Sequence, residues 1–372
     1  MASSSITNVR VFDGAKLSAP TTIVIADAFI SSVGGKATGT IVDGTGFALL
    51  PGLIDAHVHV DDASQLEELL THGITTAFDM ANSRPEATAA LRSRPGLPQL
   101  LGAGLPASAP GGTHTKKMGF PADSAVQGPG DAARFVADRL RDHSDYIKII
   151  VEDPRMPGTT ALSPETITAL VVAAHAAGLL VVAHAVTSTA MNFAADAGVD
   201  VITHAPVNRA ITSDEAAGLA KRGAALLPTL TMLQGTAGVV NSGRMFRLLR
   251  RLNIAPPVEY ANARASVAVA KATALPILAG TDANNDPGAP WNPKFGSSLH
   301  DEFELLVDAG LTPAEVIAAA TSTPARVFGL TDRGAVKAEL RADLLLVSGD
   351  PTTDIRATRA VSGVWLGGQK VL

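Results

Sequence analysis

Short, mostly apolar runs alternate with helix-like stretches through the middle of this 372-residue chain. Such runs predict strands that are buried on both faces of a parallel sheet. Strands that alternate with helices, eight in number, are the pattern of a (β/α)8 barrel, or TIM barrel. We therefore predict an α/β fold of this class over residues 51–334. The eight runs are 52–59, 74–79, 99–104, 146–151, 179–184, 199–204, 224–229 and 276–282.

The two ends of the chain have a different character. Residues 1–50 and 335–372 are β-like, and Asp13-Gly14 and Asp43-Gly44 mark turns in the first of these segments. We expect strands from both termini to pair into one small β-sandwich domain, formed by 1–50 plus 335–372.

Composition excludes several classes of protein. The formal charge of −5 gives no basic surface for nucleic acid. The absence of Cys excludes disulfides and thiolate ligands, so a metal ion would need His, Asp, Glu or Lys chemistry.

The first residues are polar and do not form a secretory signal, so we expect a cytoplasmic protein. The apolar stretch 169–186 contains Gly178 and two His, and it predicts a helix followed by a strand rather than a membrane span.

Metal-capable side chains stand at the ends of four predicted strands. His57 and His59 close the first strand, and side chains two residues apart on a strand point the same way. His184, His204 and Asp282 close the fifth, sixth and eighth strands. Barrel enzymes place catalytic groups at this edge, and buried His and Asp need specific partners. Five such residues therefore indicate a metal centre rather than core packing.

Lys148 lies inside an apolar strand, where an ammonium group is costly unless it is paired or neutral. A salt bridge to a barrel carboxylate is one interpretation. The other is that burial and a neighbouring dication lower the lysine pKa, so that the neutral amine captures carbon dioxide as a carbamate. The two carbamate oxygens could then bridge two metals.

Motifs along nearly the whole chain are similar to those of the amidohydrolase superfamily, and within it of the prolidase-like branch that includes Xaa-Pro dipeptidases and ochratoxin-type amidases. They include the strand that begins at Asn8 and the Ala-Thr-Ser-Thr-Pro-Ala-Arg segment at 320–326. The segment Ala-Asp-Leu-Leu-Leu-Val at 342–347 is a further match. The motifs with metal-capable residues are at 51–59, 147–149, 183–185, 203–204 and 280–282.

The resemblance implies a binuclear hydrolase that cleaves an amide C–N bond. The implied substrate is an N-acyl amino acid, a dipeptide-like molecule or an aryl amide, and the implied nucleophile is a hydroxide that bridges the metals. It implies two divalent ions, with zinc expected and Mn, Fe or Co as alternatives, and carbon dioxide bound as a carbamate on Lys148. Asp282 would shuttle the proton to the leaving nitrogen. The implied ligands are His57, His59 and Asp282 for one ion, His184 and His204 for the other, and Lys148 as the bridge.

The loops suggest how the substrate, a small molecule, is recognised. The branch tends to carry Gly-Gly-His in the third loop, and here the sequence is Gly111-Gly-Thr-His114, with one residue inserted. His114 could contact the substrate carbonyl or leaving group. His114, Lys116, Lys117 and Arg209 could also line the barrel mouth, and we expect the cations to bind a substrate carboxylate.

Two other functions stay open. One is a mononuclear cyclic-amide hydrolase or deaminase with a structural Lys148, although the segment after His184 lacks the Glu that is usual in deaminases of this superfamily. The other is a catalytically inactive scaffold, although all six ligand positions are intact. We expect a homo-oligomer that binds neither nucleic acid nor membranes.

Overall fold

The computed structural model describes residues 3–372 except 93, 117–118, 157 and 244–257. Fifteen strands are present in these residues. They are β1 (Ser3–Val11), β2 (Thr21–Ala26), β3 (Phe29–Val33), β4 (Thr40–Asp43), β5 (Phe47–Pro51), β6 (Leu53–Val58), β7 (Ile74–Asp79), β8 (Gln99–Gly102), β9 (Ile147–Ile150), β10 (Val181–His184), β11 (Val201–Thr203), β12 (Ala225–Leu227), β13 (Leu344–Ser348), β14 (Val361–Leu366) and β15 (Gln369–Lys370).

The α-helices of the described residues follow most of the central strands. They are α1 (Ala63–Thr71), α2 (Pro85–Ala89), α3 (Thr113–Lys116), α4 (Ala132–Arg141), α5 (Pro164–Ala176), α6 (Ser188–Ala197), α7 (Ser213–Lys221), α8 (Leu230–Ser242), α9 (Tyr260–Ala272), α10 (Ser297–Asp308), α11 (Pro313–Ala319) and α12 (Ser322–Val327).

Strands from both termini form one mixed sheet of eight strands. Its main path runs β15-β14-β13-β5-β1-β2-β3, and β4 pairs with β1 in parallel. The prediction that strands from the two ends of the chain pair is thus confirmed, and the strands form one mixed sheet. Ile6, Ile25, Leu344 and Trp365 lie in the hydrophobic cluster of this sheet.

The central strands form two parallel ladders, β6-β7-β8 and β9-β10-β11-β12. Seven of the eight predicted runs are strands, and parallel α/β architecture is confirmed. In the described residues the ladders do not close into an uninterrupted barrel, and only isolated bridges join them. These bridges are Ala107 to Ile149, Leu226 to Ile277 and Val58 to Ala283.

The run 276–282 is the exception to the strand prediction. Its last residues bond to groups of β6 instead of forming a ladder: the amide of Thr281 donates to the Asp55 carboxylate (3.1 Å) and the amide of Asp282 donates to the His57 carbonyl (2.8 Å). Asp282 also has a positive φ of 62°, which breaks an extended chain. This turn directs Asp282 toward the ends of the parallel strands.

The apolar stretch 169–186 divides as predicted, into the end of α5 and β10. Ser163 accepts a hydrogen bond from the amide of Thr166 and so caps the N-terminus of α5. In the described residues no helix is both long and apolar enough to cross a bilayer.

Candidate active site

The predicted metal ligands gather at one edge of the parallel strands. His57 lies near the end of β6, Lys148 lies on β9, and His184 is the last residue of β10. His204 directly follows β11. Parallel strands bring their carboxyl ends to the same edge of a sheet, which is why residues so far apart in sequence meet here.

His57, His59 and Asp282 form the tightest group. Asp282 Oδ1 lies 3.1 Å from Nε2 of His57 and 2.9 Å from Nε2 of His59. The two Nε2 atoms are 3.3 Å apart. Around a tetrahedral ion with bonds of about 2.0–2.2 Å, ligand atoms lie about 3.3–3.5 Å apart. The three atoms therefore fit a single divalent ion with little movement.

The hydrogen bonds of His59 also fit a ligand to a metal. Its Nδ1 lies 2.9 Å from the carbonyl oxygen of Ala81, which can only accept, so Nδ1 carries a proton. In the neutral ring Nε2 then directs a lone pair at the Asp282 carboxylate. A cation between these two acceptors, or a second proton on the ring, removes that conflict. Nδ1 of His57 is likewise held, 2.8 Å from the hydroxyl of Thr203.

His184 and His204 form a second pair beside the first group. Nε2 of His204 lies 3.0 Å from Nδ1 of His184, and the ring of His204 is 5.1 Å from that of His57, centroid to centroid. Nδ1 of His204 is held by the hydroxyl of Thr229 at 2.6 Å, so its Nε2 faces the site. The two groups are close enough to hold neighbouring ions.

Lys148 is almost completely buried, with 2% of its surface exposed. Burial lowers its pKa to about 7, against the opposing attraction of Asp282 and Asp79. Burial thus favours the neutral amine, which is the form that can react with carbon dioxide.

Asp282 is the ionised member of the site. Burial acts to raise its pKa, but the charge and hydrogen bonds of His57 and the hydrogen bond of His59 outweigh that effect and hold the pKa well below its usual range. An ionised carboxylate can bind a cation, and it is also the form that can accept a proton from a reacting water.

The site forms the floor of a cavity of about 540 Å³. All six predicted ligands line it, and so do Asn208, Asn284 and Asp286. One wall is apolar, which suits a small molecule with an apolar group. The apolar wall contains Met156, Val186, Val207, Met232, Leu233 and Val240.

Of the predicted substrate cations, the structure describes Arg209 and Lys116, and it brings neither into this cavity. Arg209 forms a two-point ion pair with Glu215 (2.8 and 2.5 Å), and Lys116 is exposed on α3; neither is a lining residue. These positions give no support to the expectation that the two cations bind a substrate carboxylate, since Arg209 is paired with Glu215, and that expectation stays a prediction. The backbone of His114 lies in α3, but its side chain, like the whole of Lys117, lies outside the described residues.

Several residues of the site were not singled out from the sequence. Thr203 and Thr229 orient imidazoles, Asp55 holds the turn before Asp282, and Glu152 lines the cavity. Asp55 and Glu152 could have been found as acidic residues within or just after apolar strands. A threonine in such a position is too common to be a signal.

The cluster of two His and one Asp at the edge of parallel strands is the arrangement of a metal-dependent hydrolase. The chain belongs to the amidohydrolase family, whose sequence profile matches residues 48–371. It is 29% identical over 353 residues to an uncharacterized protein of Mycobacterium tuberculosis, covering 88% of this chain and 85% of that protein.

Two solved structures show the same fold over 99% of this chain. A Xaa-Pro dipeptidase with bound methionine in its active site has a TM-score of 0.84 and 23% identity, with 99% of that chain covered. The ochratoxinase of A. niger has a TM-score of 0.81 and 20% identity, with 95% of that chain covered.

Proposed function

We propose that this protein hydrolyses the C–N bond of an amide in a small molecule, within the group of N-acyl amino acids, dipeptide-like molecules and aryl amides. The observation that carries the proposal is the convergence of His57, His59 and Asp282 with the His184–His204 pair on the floor of one cavity. The names of the two similar structures, a dipeptidase and an ochratoxinase, agree with amide chemistry.

The residues present fit two divalent ions. His57, His59 and Asp282 would hold one, His184 and His204 the other, and Lys148 would join them as a carbamate. In that modification the neutral amine bonds to the carbon of carbon dioxide and releases one proton, which leaves an anionic carboxylate on the nitrogen. Zinc is the expected metal. Mn, Fe or Co suit the same ligands, and selection among these ions then depends on availability.

Bound ions of this kind polarise a carbonyl group and lower the pKa of water. The side chains of the cavity would do the rest. Asp282 accepts the proton of the attacking water and passes it to the leaving nitrogen, which needs protonation to depart. Apolar lining residues would hold the organic part of the substrate and exclude bulk water.

Steady-state hydrolysis of an amide panel tests this function. The panel contains N-acyl amino acids, dipeptides and aryl amides, with cyclic ureides and adenine as controls for the two related reactions. We expect amide hydrolysis by the metal-loaded parent protein and a loss of at least about 100-fold in kcat for Asp282→Asn. Turnover of only the cyclic ureide or adenine would contradict the proposal.

Metal content and Lys148 can be tested together. The parent protein should bind about two divalent ions per chain, as a binuclear site requires. Lys148→Ala should lose much of the metal and activity, and a short carboxylic acid should restore part of both by filling the vacated space. Retention of two ions and normal activity in Lys148→Ala would show that the lysine is structural.

A further inference from the structure

Glu152 is a charged residue of the cavity that the chemistry above does not use. It lies two residues beyond the end of β9, in the loop after Lys148, and its partly buried side chain lines the cavity. In the described part of the chain no side chain forms a hydrogen bond or ion pair with its carboxylate. A carboxylate that has lost part of its hydration without a partner is destabilising unless a ligand supplies one.

The loop that carries Glu152 is held in place by its neighbour. Asp153 is buried and accepts hydrogen bonds from the backbone and guanidinium of Arg155 and from the hydroxyl of Thr187 (3.2 Å). Thr187 in turn caps the N-terminus of α6. The amide of Val151 donates to the carbonyl of His184 (3.0 Å). The backbone at Glu152 is therefore held on both sides, which gives its side chain a defined position for recognition.

The charges around Glu152 favour a cation. Outside the proposed ligand set, the charged lining residues of the described chain are Asp61, Glu152 and Asp286, and no Lys or Arg other than Lys148 lines the cavity there. Asp61 is paired with the exposed Arg84 (3.5 Å), which leaves Glu152 and Asp286 as the negative charges of the lining. Charges of one sign around a cavity attract ligands of the opposite sign. Burial and the charge of Asp153 raise the pKa of Glu152, and a bound ammonium would relieve that unfavourable ionisation.

We propose that Glu152 binds a protonated amine of the substrate. The site then selects amides that carry a free amino group close to the scissile bond, such as an aminoacyl amide. The same amides with an acylated amino group are poorer substrates. This inference rests on the proposed amide hydrolysis and defines its substrate class. The substrate group that is recognised is thus an ammonium group, and not the substrate carboxylate that we expected from the sequence.

A matched pair of substrates tests the inference. Hydrolysis of L-leucine p-nitroanilide and of N-acetyl-L-leucine p-nitroanilide is compared at pH 7, where the free amine is mostly protonated. In the parent protein we expect the free amine to give the higher kcat/KM. Glu152→Gln should lower kcat/KM for the free amine by about 10–100-fold, mainly through KM, and leave the acetylated substrate nearly unchanged. Glu67→Gln, the same change at an exposed position of α1, should alter neither.

Equal losses on both substrates in Glu152→Gln, or a parent preference for the acetylated one, would overturn the inference. A binding measurement separates it from the proposed function, because L-leucinol and 4-methylpentan-1-ol differ by one amino group and neither contains an amide. Calorimetry should show tighter binding of leucinol to the parent and no difference in Glu152→Gln. Equal binding to the parent overturns the inference, whereas selective binding of leucinol without any amide hydrolysis supports it and contradicts the proposed function.

Discussion

At the scale of single residues, the orientation of three of the imidazoles is set by the group on the far side of the ring. Ala81 holds His59 through a carbonyl, and Thr203 and Thr229 hold His57 and His204 through hydroxyls. Partners of this kind fix the tautomer of a metal-binding histidine and the direction of its free nitrogen. The precision of the site thus depends on one backbone carbonyl and on two threonine hydroxyls whose residues do not line the cavity.

Thr229→Val tests this dependence, because it removes the hydroxyl and keeps the shape of the side chain. Loss of the 2.6 Å contact with His204 should reduce metal affinity or kcat/KM by about 10–100-fold. Thr229→Ser, which keeps the hydroxyl, should retain most of both. Metal titration and steady-state kinetics provide the measurement, and equal behaviour of the Val and Ser variants would mean that the hydroxyl does not orient His204.

The sequence predicted the ionisable residues of the site and not the residues that orient them. Lys148 and Asp282 stand out because an ionisable group in an apolar run needs an explanation. Thr229 does not stand out, since its partner His204 lies 25 residues away and only the fold brings them together. Asp55 is an acidic residue within an apolar strand and could have been noticed, but its role could not be predicted because its partner Thr281 is 226 residues away.

At the scale of elements, α8 contributes lining residues to the cavity, and its N-terminal end contacts His204 through Thr229. Its N-cap residue, Thr229, makes no cap because its hydroxyl is used on His204. Glu302 of α10 supplies the cap instead, and accepts hydrogen bonds from the amides of Leu230 (2.9 Å) and Thr231 (2.7 Å). A carboxylate is favourable at this end of a helix. Because Glu302 caps the helix, the hydroxyl of Thr229 is available to bind Nδ1 of His204.

This cap predicts a pH-dependent contribution to stability. Burial raises the pKa of Glu302 from 4.5 to about 7, although three hydrogen bonds from Leu230 and Thr231 act to lower it. Between these two pH values the folded state holds a proton that the unfolded state has released. The contribution of Glu302 is therefore complete below pH 4.5 and is lost as the pH rises to about 7.

Glu302→Gln removes this titration. Relative to the variant, the parent should lose free energy of unfolding on the order of 1 kcal/mol per pH unit across the window from 4.5 to 7, and the difference should be constant above it. Denaturant unfolding of both proteins at several pH values measures the difference. A difference that stays constant, or that grows with pH, would show that Glu302 is ionised in the folded protein throughout.

At the scale of the whole molecule, the alternation of apolar runs predicted the parallel architecture, because strands buried on both faces are recognisable in sequence. The segment 276–282 was not distinguishable from the other seven runs. Its departure from a ladder depends on Asp55 and on the backbone of His57, more than 220 residues earlier. The pairing of the termini was predictable from β-like segments, whereas the order of the eight strands was not, since register depends on packing in the folded state.

The proposed ligands lie between residues 57 and 282 of the chain, so a bound metal ion would cross-link most of the central fold. Because an ion that binds only the folded state stabilises it by mass action, by about 4 kcal/mol at a thousand times its Kd, zinc should raise the Tm of chelator-treated protein by several degrees. The doubly substituted His57→Ala, His59→Ala protein should lose most of this rise. His175→Ala, which changes an exposed histidine paired with Asp200, should keep it. Scanning calorimetry with and without zinc measures the shift, and an equal rise in all three proteins would place the stabilising ion outside the His57–His59–Asp282 cluster.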